Sequence, residues 1–257
     1  MEQHLTDFNS DLCTTLFNMY NQIVKYYNEN EYLLMFDVLI NYRNLIANTN
    51  DIDNVKLFNT DQNILYSVEV IFEKYYSNII LNYDQFRDMF PFYNKYYTQI
   101  FRELMLMNGN SDIHFKQIVF IGCGSLPISA IFYNEITKLP VIAIDMDNES
   151  CTNASKLLDK LNLSKSITVV NCDAQFYNYD ETSLVVIANM IINLENVMEA
   201  ISRKNIKHII YRNTTGIRSM YYQNLNDNVI KLLYESIACT NPIENGFIST
   251  SFLCTIK

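Results

Sequence analysis

The run QIVFIGCGSLPISAIF, Gln117 to Phe132, places Gly122, Gly124 and Ser125 between a β-rich apolar stretch and a helix-like one. Glycines at such a turn let a ligand approach the backbone, and the N-terminus of the following helix offers free N–H groups. About 20 residues on, Asp145 with Met146 in AIDMD stands where an acidic side chain takes ribose hydroxyls. Asp173 and Ala174 in VVNCDAQ are placed to meet an adenine amine, and Asn189 and Met190 in VIANMI close a fourth strand end. Turn, ribose acid and second acid at successive strand ends point to an adenosine ligand. The competing reading is that Asp145 and Asp173 merely cap the next helices. Pro127 replaces the third glycine of a dinucleotide fingerprint. It suits a first helical turn and puts room for a pyrophosphate in doubt. S-adenosylmethionine has no phosphate, so GCGSLP suits it better than NAD.

A second group of residues could act on whatever that ligand carries. Glu69 and Glu73 lie one helical turn apart, flanked by Tyr66 and Tyr76, as a solvated stripe or as one wall of a site. Tyr93 and Tyr96 in YNKYY carry phenols that can orient a carboxylate or relay a proton, or can be core aromatics among 19 tyrosines. Arg212 and Arg218 flank Gly216 and could each clamp a carboxylate bidentately, or form surface ion pairs.

These residues need a scaffold. Up to about Lys116 the chain reads as successive helices; DQNILYSVEVIFEKYYSNII sets Ile64, Leu65, Val68, Ile71, Phe72, Tyr75 and Ile79 at helical spacing after a capping Asp61. Polar residues from Asn48 to Asp53 suggest a loop, and NGNSD, Asn108 to Asp112, is the clearest break. Beyond it, QIVFIG, PVIAID, SITVVNCD, SLVVIAN and KHIIYR alternate with helix-like segments at Ile128–Thr137, Glu149–Leu161 and Leu194–Lys204. Such alternation implies an α/β, Rossmann-like, doubly wound parallel sheet. ESIACT and GFISTSFLCTIK could close it as an antiparallel hairpin. The expected domains are therefore 1–112, all-helical and contributing to the active site, and 113–257, binding the ligand.

Composition narrows the function. Net charge is −9 over 257 residues, a poor match to nucleic acid. No apolar run approaches a membrane span, and the N-terminus has no signal-peptide pattern. His4, His114 and His208 are far apart, so no metal is expected to take part in catalysis. Six cysteines without a C-x-x-C motif fit reduced thiols in a cytoplasmic protein.

FIGCGSLPISAI resembles the FxGxGPLPxTxI segment of nicotianamine synthases. YSVEVIFEKYYSNII is similar to that family's glutamate-rich helix, MFPFYNKYY to its FPYYxNY segment, and YRNTTGIRSMYY to RSAxGxRxxLY, in matching order from Leu65 to Tyr222. Ser125, Phe92 and Asn213–Thr215 depart from the pattern, which puts the acceptor in question. The short chain resembles the bacterial branch, the aminobutanoyltransferases of staphylopine-type, opine-type metallophore synthesis. The resemblance implies a class I methyltransferase-type fold and S-adenosylmethionine as co-substrate. It further implies transfer of the 3-amino-3-carboxypropyl (aminobutanoate) arm to a histidine-like amino acid, with release of methylthioadenosine. Glu69 and Tyr96 become the catalytic candidates, and Tyr93, Arg212 and Arg218 the acceptor contacts. A downstream opine-type dehydrogenase would take the product, and a homodimer is compatible with the pattern. Two other readings stay open: a conventional small-molecule methyltransferase, and a non-catalytic adenosine-ligand binding protein.

Overall fold

The computed structural model of the chain describes residues 2–49, 58–83, 86–107, 113–222, 224–240 and 246–257. Helices come first: α1 (Glu2–Asn28), α2 (Tyr32–Asn48), α3 (Gln62–Asn82), α4 (Phe86–Met89) and α5 (Tyr93–Met105). Then strands and helices alternate: β1 (Gln117–Ile121), α6 (Ile128–Thr137), β2 (Val141–Asp145), α7 (Asn148–Lys160), β3 (Ile167–Asn171), β4 (Ser183–Ile187), α8 (Leu194–Ser202) and β5 (His208–Asn213). α9 (Asn228–Leu233), β6 (Tyr234–Cys239) and β7 (Thr250–Ile256) follow, with short 3-10 turns at Ala174–Phe176 and Gly216–Met220.

The seven strands form one sheet in the order β3-β2-β1-β4-β5-β7-β6. β1 to β5 are parallel, and β7 runs antiparallel between β5 and β6. The expected doubly wound, Rossmann-like sheet is present, and the closing hairpin is in place. Every residue of β4 is buried, as strands covered on both faces require. Val119, Ile121, Val185, Ile187, Ile209 and Tyr211 pack on one side with Val197, Met198 and Ile201 of α8.

The chain divides into two compact units, and the division falls inside α3. One comprises Met1–Glu69, Thr214–Asn224 and Asn241–Ser249; the other comprises Val70–Asn213, Leu225–Thr240 and Thr250–Lys257. The boundary expected after Asp112 therefore falls elsewhere: the end of α3, α4 and α5 group with the sheet, because α5 packs on α6 and carries Glu103 into the sheet unit's core. The Asn108–Asp112 break itself, and residues 50–53 of the expected loop, lie outside the described residues.

In the first unit, α1 and α2 form a hairpin around Asn30, whose φ of 58° is left-handed. Leu12, Leu16, Tyr20 and Ile23 recur at helical spacing and are buried, as are Met35, Phe36, Leu39 and Ile46 of α2. α3 begins as expected: Asp61 Oδ1 accepts from the Asn63 N–H at 2.9 Å.

In the sheet unit, the far end of α3 is capped by a side chain. Lys160 Nζ, from α7, donates to the carbonyls of Ile80 and Leu81 at 2.9 Å and of Tyr83 at 3.1 Å. Those carbonyls have no intrahelical donors, and a cation there complements the helix dipole. Lys160→Met is expected to cost about 1.5–3 kcal/mol, the worth of hydrogen bonds to a charged group. Thermal unfolding checks this, as a fall in Tm of roughly 3–10 °C for a chain of this size.

Candidate functional site

The strand order reverses between β1 and β4, and ligands of doubly wound sheets bind in the crevice outside the carboxyl ends at that point. The glycine turn stands there. Gly122 has φ +83° and Gly124 φ +62°, conformations that disfavour a Cβ. A Cβ on Gly122 would lie 2.8 Å from Ile191 Cδ1 and 3.2 Å from Ala188 Cβ, both just beyond β4. The Gly122 and Cys123 N–H groups donate to Ile144 O, which ties the turn to β2. Pro127 sits directly before α6, where it leaves no donor unmatched, and its carbonyl accepts from the Ile131 N–H. Ser125 is buried, and its hydroxyl pairs with Ser150 Oγ at 3.1 Å, so only its backbone is available to a ligand.

Asp145 ends β2. Its Oδ2 accepts from the Gly124 N–H at 2.8 Å and its Oδ1 from the Asp147 N–H at 3.0 Å. Each carboxylate oxygen keeps a further lone pair. Asp147, not Asp145, caps α7, accepting from the Ser150 N–H at 2.8 Å. Asp173 does cap: its Oδ1 takes the Gln175 N–H at 3.0 Å and its Oδ2 the Gln175 amide at 2.6 Å. The capping alternative thus describes Asp173 and not Asp145. Ala174 is buried and its carbonyl accepts from Tyr179 Oη. Asn189 is buried and Met190 half-buried behind the end of β4.

Met146 is 56% exposed after β2, Phe176 is 79% exposed after β3, and Ile192 is 55% exposed after β4. Large apolar side chains left in solvent at three successive strand ends suit the flat face of a base. The sequence singles out Met146 but not Phe176 or Ile192, because apolarity alone does not separate an exposed loop residue from a core one. Cys123 lies within the turn, between the two glycines, and Cys151 Sγ approaches Asp145 O at 3.4 Å. Burial first, and then the Asp145 charge, hold both thiols protonated, Cys151 being pushed up to about 11. Neither is a nucleophile at neutral pH.

Arg212 does not present a free clamp. It is 5% exposed, and its Nε and Nη2 grip the Glu103 carboxylate at 2.8 and 3.1 Å, while Nη1 donates to Ser129 Oγ at 3.2 Å. Glu103 also accepts from Tyr133 Oη at 2.6 Å and Ser251 Oγ at 2.5 Å. The carboxylate expected from a substrate is supplied by the protein. Tyr93 belongs to an aromatic cluster, edge-on to Phe86 and Phe132 at 5.3 and 4.8 Å, with Arg87 over its ring at 5.8 Å. Tyr96 is half-buried beside Phe90, ring centres 5.7 Å apart.

In the other unit Glu69 is 3% exposed, so the solvated stripe is excluded there. Arg43 Nη1 approaches Glu69 Oε1 to 3.3 Å. Burial pushes the Glu69 carboxyl up, and Arg43 pulls it back only in part. Arg43 also lies 5.0 Å from the Tyr221 ring centre. Arg218, like Arg212, is engaged internally: fully buried, it donates to Phe247 O at 3.0 Å and to Thr49 O at 3.1 Å. Neither arginine keeps the open fork that carboxylate recognition needs. Arg43 carries no motif, and sequence spacing gave no signal for it.

Among the described residues no group of three or more His, Cys, Asp or Glu side chains could hold a metal ion, and no helix is long and apolar enough to cross a membrane. The topology defines a Rossmann-like, class I methyltransferase-type sheet. A family model described as "nicotianamine synthase protein" matches residues 45–253, and the chain belongs to the nicotianamine synthase family. Among solved structures, MtNAS in complex with MTA and tNA is 18% identical with a TM-score of 0.73, over 98% of each chain. A glutamate-to-glutamine variant of MtNAS in complex with S-adenosylmethionine is 17% identical with a TM-score of 0.72, over 93% of this chain and 97% of that one. Magnesium protoporphyrin IX methyltransferase from Synechocystis PCC 6803, with bound SAM, is 11% identical with a TM-score of 0.50, over 71% of this chain and 97% of that one. The search of curated proteins returns no match.

Proposed function

We propose that the chain transfers the aminobutanoate arm of S-adenosylmethionine to the amine of a histidine-like amino acid, in synthesis of a nicotianamine-like, staphylopine-type metallophore. In this scheme the Gly122–Gly124 turn presents its backbone to the nucleoside, Asp145 takes the ribose hydroxyls, and Met146, Asp173, Ala174, Asn189 and Met190 line the base side. No cation stands in GCGSLP, and Asp145 touches the turn, so an anionic pyrophosphate is disfavoured and a cationic sulfonium is welcome. S-adenosylmethionine supplies an electrophilic γ-carbon, whose bond to sulfur breaks as the acceptor nitrogen bonds to it. The electron pair stays on sulfur, and methylthioadenosine leaves neutral.

The attacking amine must be neutral. Glu69 takes its proton, with Tyr96 as the alternative. The observation that carries this role is the burial of Glu69 together with its raised carboxyl, which makes it a stronger base than an exposed glutamate. The reaction would take place in the cytoplasm, and an opine-type dehydrogenase would consume the product. A homodimer is compatible with this scheme.

The deciding experiment incubates the chain with S-adenosylmethionine and D- or L-histidine and separates the nucleosides. Methylthioadenosine is expected, one for one with an acceptor enlarged by an aminobutanoate unit. S-adenosylhomocysteine as the main product would overturn the reading in favour of methyl transfer, and no turnover with a panel of amino acids would favour a binding protein. Asp145→Ala is expected to weaken S-adenosylmethionine binding about tenfold to a hundredfold, the loss of a charge-assisted hydrogen bond. Calorimetry on the folded variant checks it; unchanged affinity removes Asp145 from the site.

A further inference from the structure

Glu73 was not needed by the chemistry above, yet the glycine turn is shaped around it. A Cβ on Gly124 would collide with Glu73 Oε2, and would stand 2.9 Å from its Cδ and 3.2 Å from its Oε1. The carboxylate therefore lies directly on the second glycine, on the side where a residue with a side chain would project. α3 is fixed in that place within the sheet unit: Lys74 pairs with Glu149 of α7 at 2.6 Å, and Lys160 caps the helix end. Asp145, the other carboxylate at the turn, is held by the Gly124 and Asp147 N–H groups. Burial, and then the charges of Asp145 and Glu73, keep the Cys123 thiol protonated, so the turn sits in a negative field.

We infer that Glu73 receives the α-ammonium of the aminobutanoate arm, fixing the amino-acid end of S-adenosylmethionine against the glycine turn. This rests on the cofactor reading above and adds a residue to it. A carboxylate packed over the position a Gly124 side chain would fill is suited to a primary ammonium, which brings three donors and a full positive charge. The same negative group would repel a pyrophosphate at the turn. It also fixes the arm at its α-carbon, two bonds from the carbon to be attacked, and so limits the directions from which an acceptor can align.

Three nucleosides separate this role from its competitors. S-adenosylmethionine carries the ammonium and the sulfonium, S-adenosylhomocysteine the ammonium alone, and methylthioadenosine neither. Calorimetry on Glu73→Gln is expected to show about 10–100-fold weaker binding of the first two, with methylthioadenosine affinity unchanged. Retained methylthioadenosine binding also shows that the variant is folded. Equal loss of all three would make Glu73 a support of the turn and overturn the proposal. Loss for S-adenosylmethionine alone would assign Glu73 to the sulfonium instead. Unchanged affinity for all three would remove it from the site. Wild-type protein that binds none of the three would overturn the cofactor reading, and this proposal with it.

Discussion

Glu69→Gln is expected to lower turnover by about 10²–10⁴-fold, the usual span for loss of a general base, while S-adenosylmethionine binds with nearly unchanged affinity. Glutamine keeps the shape and a hydrogen-bond acceptor for Arg43 but cannot take the amine proton. Burial, the dominant influence on this carboxyl, raises it. Its ionisation therefore opposes folding, and the stability it allows is full at low pH and lost as pH rises through the folded value. Glu69→Gln removes that cost but also takes the counter-charge from the buried Arg43, so the two effects on Tm oppose each other while activity collapses. The pH profile carries the same signature. Activity should rise on a limb above the ordinary glutamate value of about 4.3. Arg43→Gln, which removes the neighbour that pulls the carboxyl down, should move the limb to higher pH. Near-normal turnover in Glu69→Gln would return the role of base to Tyr96.

The largest expected loss of stability lies at Glu103. Glu103→Gln leaves Arg212 buried without a counter-charge. Removing one partner of a buried pair costs about 3–5 kcal/mol, a fall in Tm on the order of 10 °C. Replacing both partners with apolar side chains, Glu103→Leu with Arg212→Met, should cost less than either single change, since no charge is stranded. Burial raises the Glu103 carboxyl, but Arg212, Ser251 and Tyr133 outweigh it and hold it below its usual value. A lowered carboxyl contributes stability above its unfolded value and loses it as pH falls through the folded one. The pair should therefore hold at neutral pH and fail only in acid. Equal melting of single variants and wild type would refute the structural role and reopen Arg212 as a substrate contact.

The sheet was legible because β1, β2, β4 and β5 are apolar runs too short for helices, separated by helix-like segments. β6 and β7 could be expected from their pattern, though not the insertion of β7 beside β5. The placement of the glycine turn and Asp145 at the ends of β1 and β2 was legible because each directly follows or ends a short apolar run. The arginines were not. Arg212 and Arg218 look alike on either side of Gly216, and nothing local reveals that one meets Glu103 from 109 residues away and the other two backbone carbonyls. Arg43 beside Glu69 and Glu73 beside Gly124 are likewise tertiary facts. Helical spacing put both glutamates on one helix, but could not say which would be buried or what each would face.

The Glu103 carboxylate also bears on the order of events in folding. It joins α5 to α6, β5 and β7, partners 30, 109 and 148 residues away along the chain. Closing loops of that length costs entropy before any contact returns it. The junction is therefore expected to form after the parallel strands have docked, outside the transition state. Interactions of that kind leave the folding rate nearly unchanged and slow unfolding. In Glu103→Gln the loss should appear almost wholly as faster unfolding, so this buried carboxylate works as a latch on the finished sheet and not as a guide to its assembly.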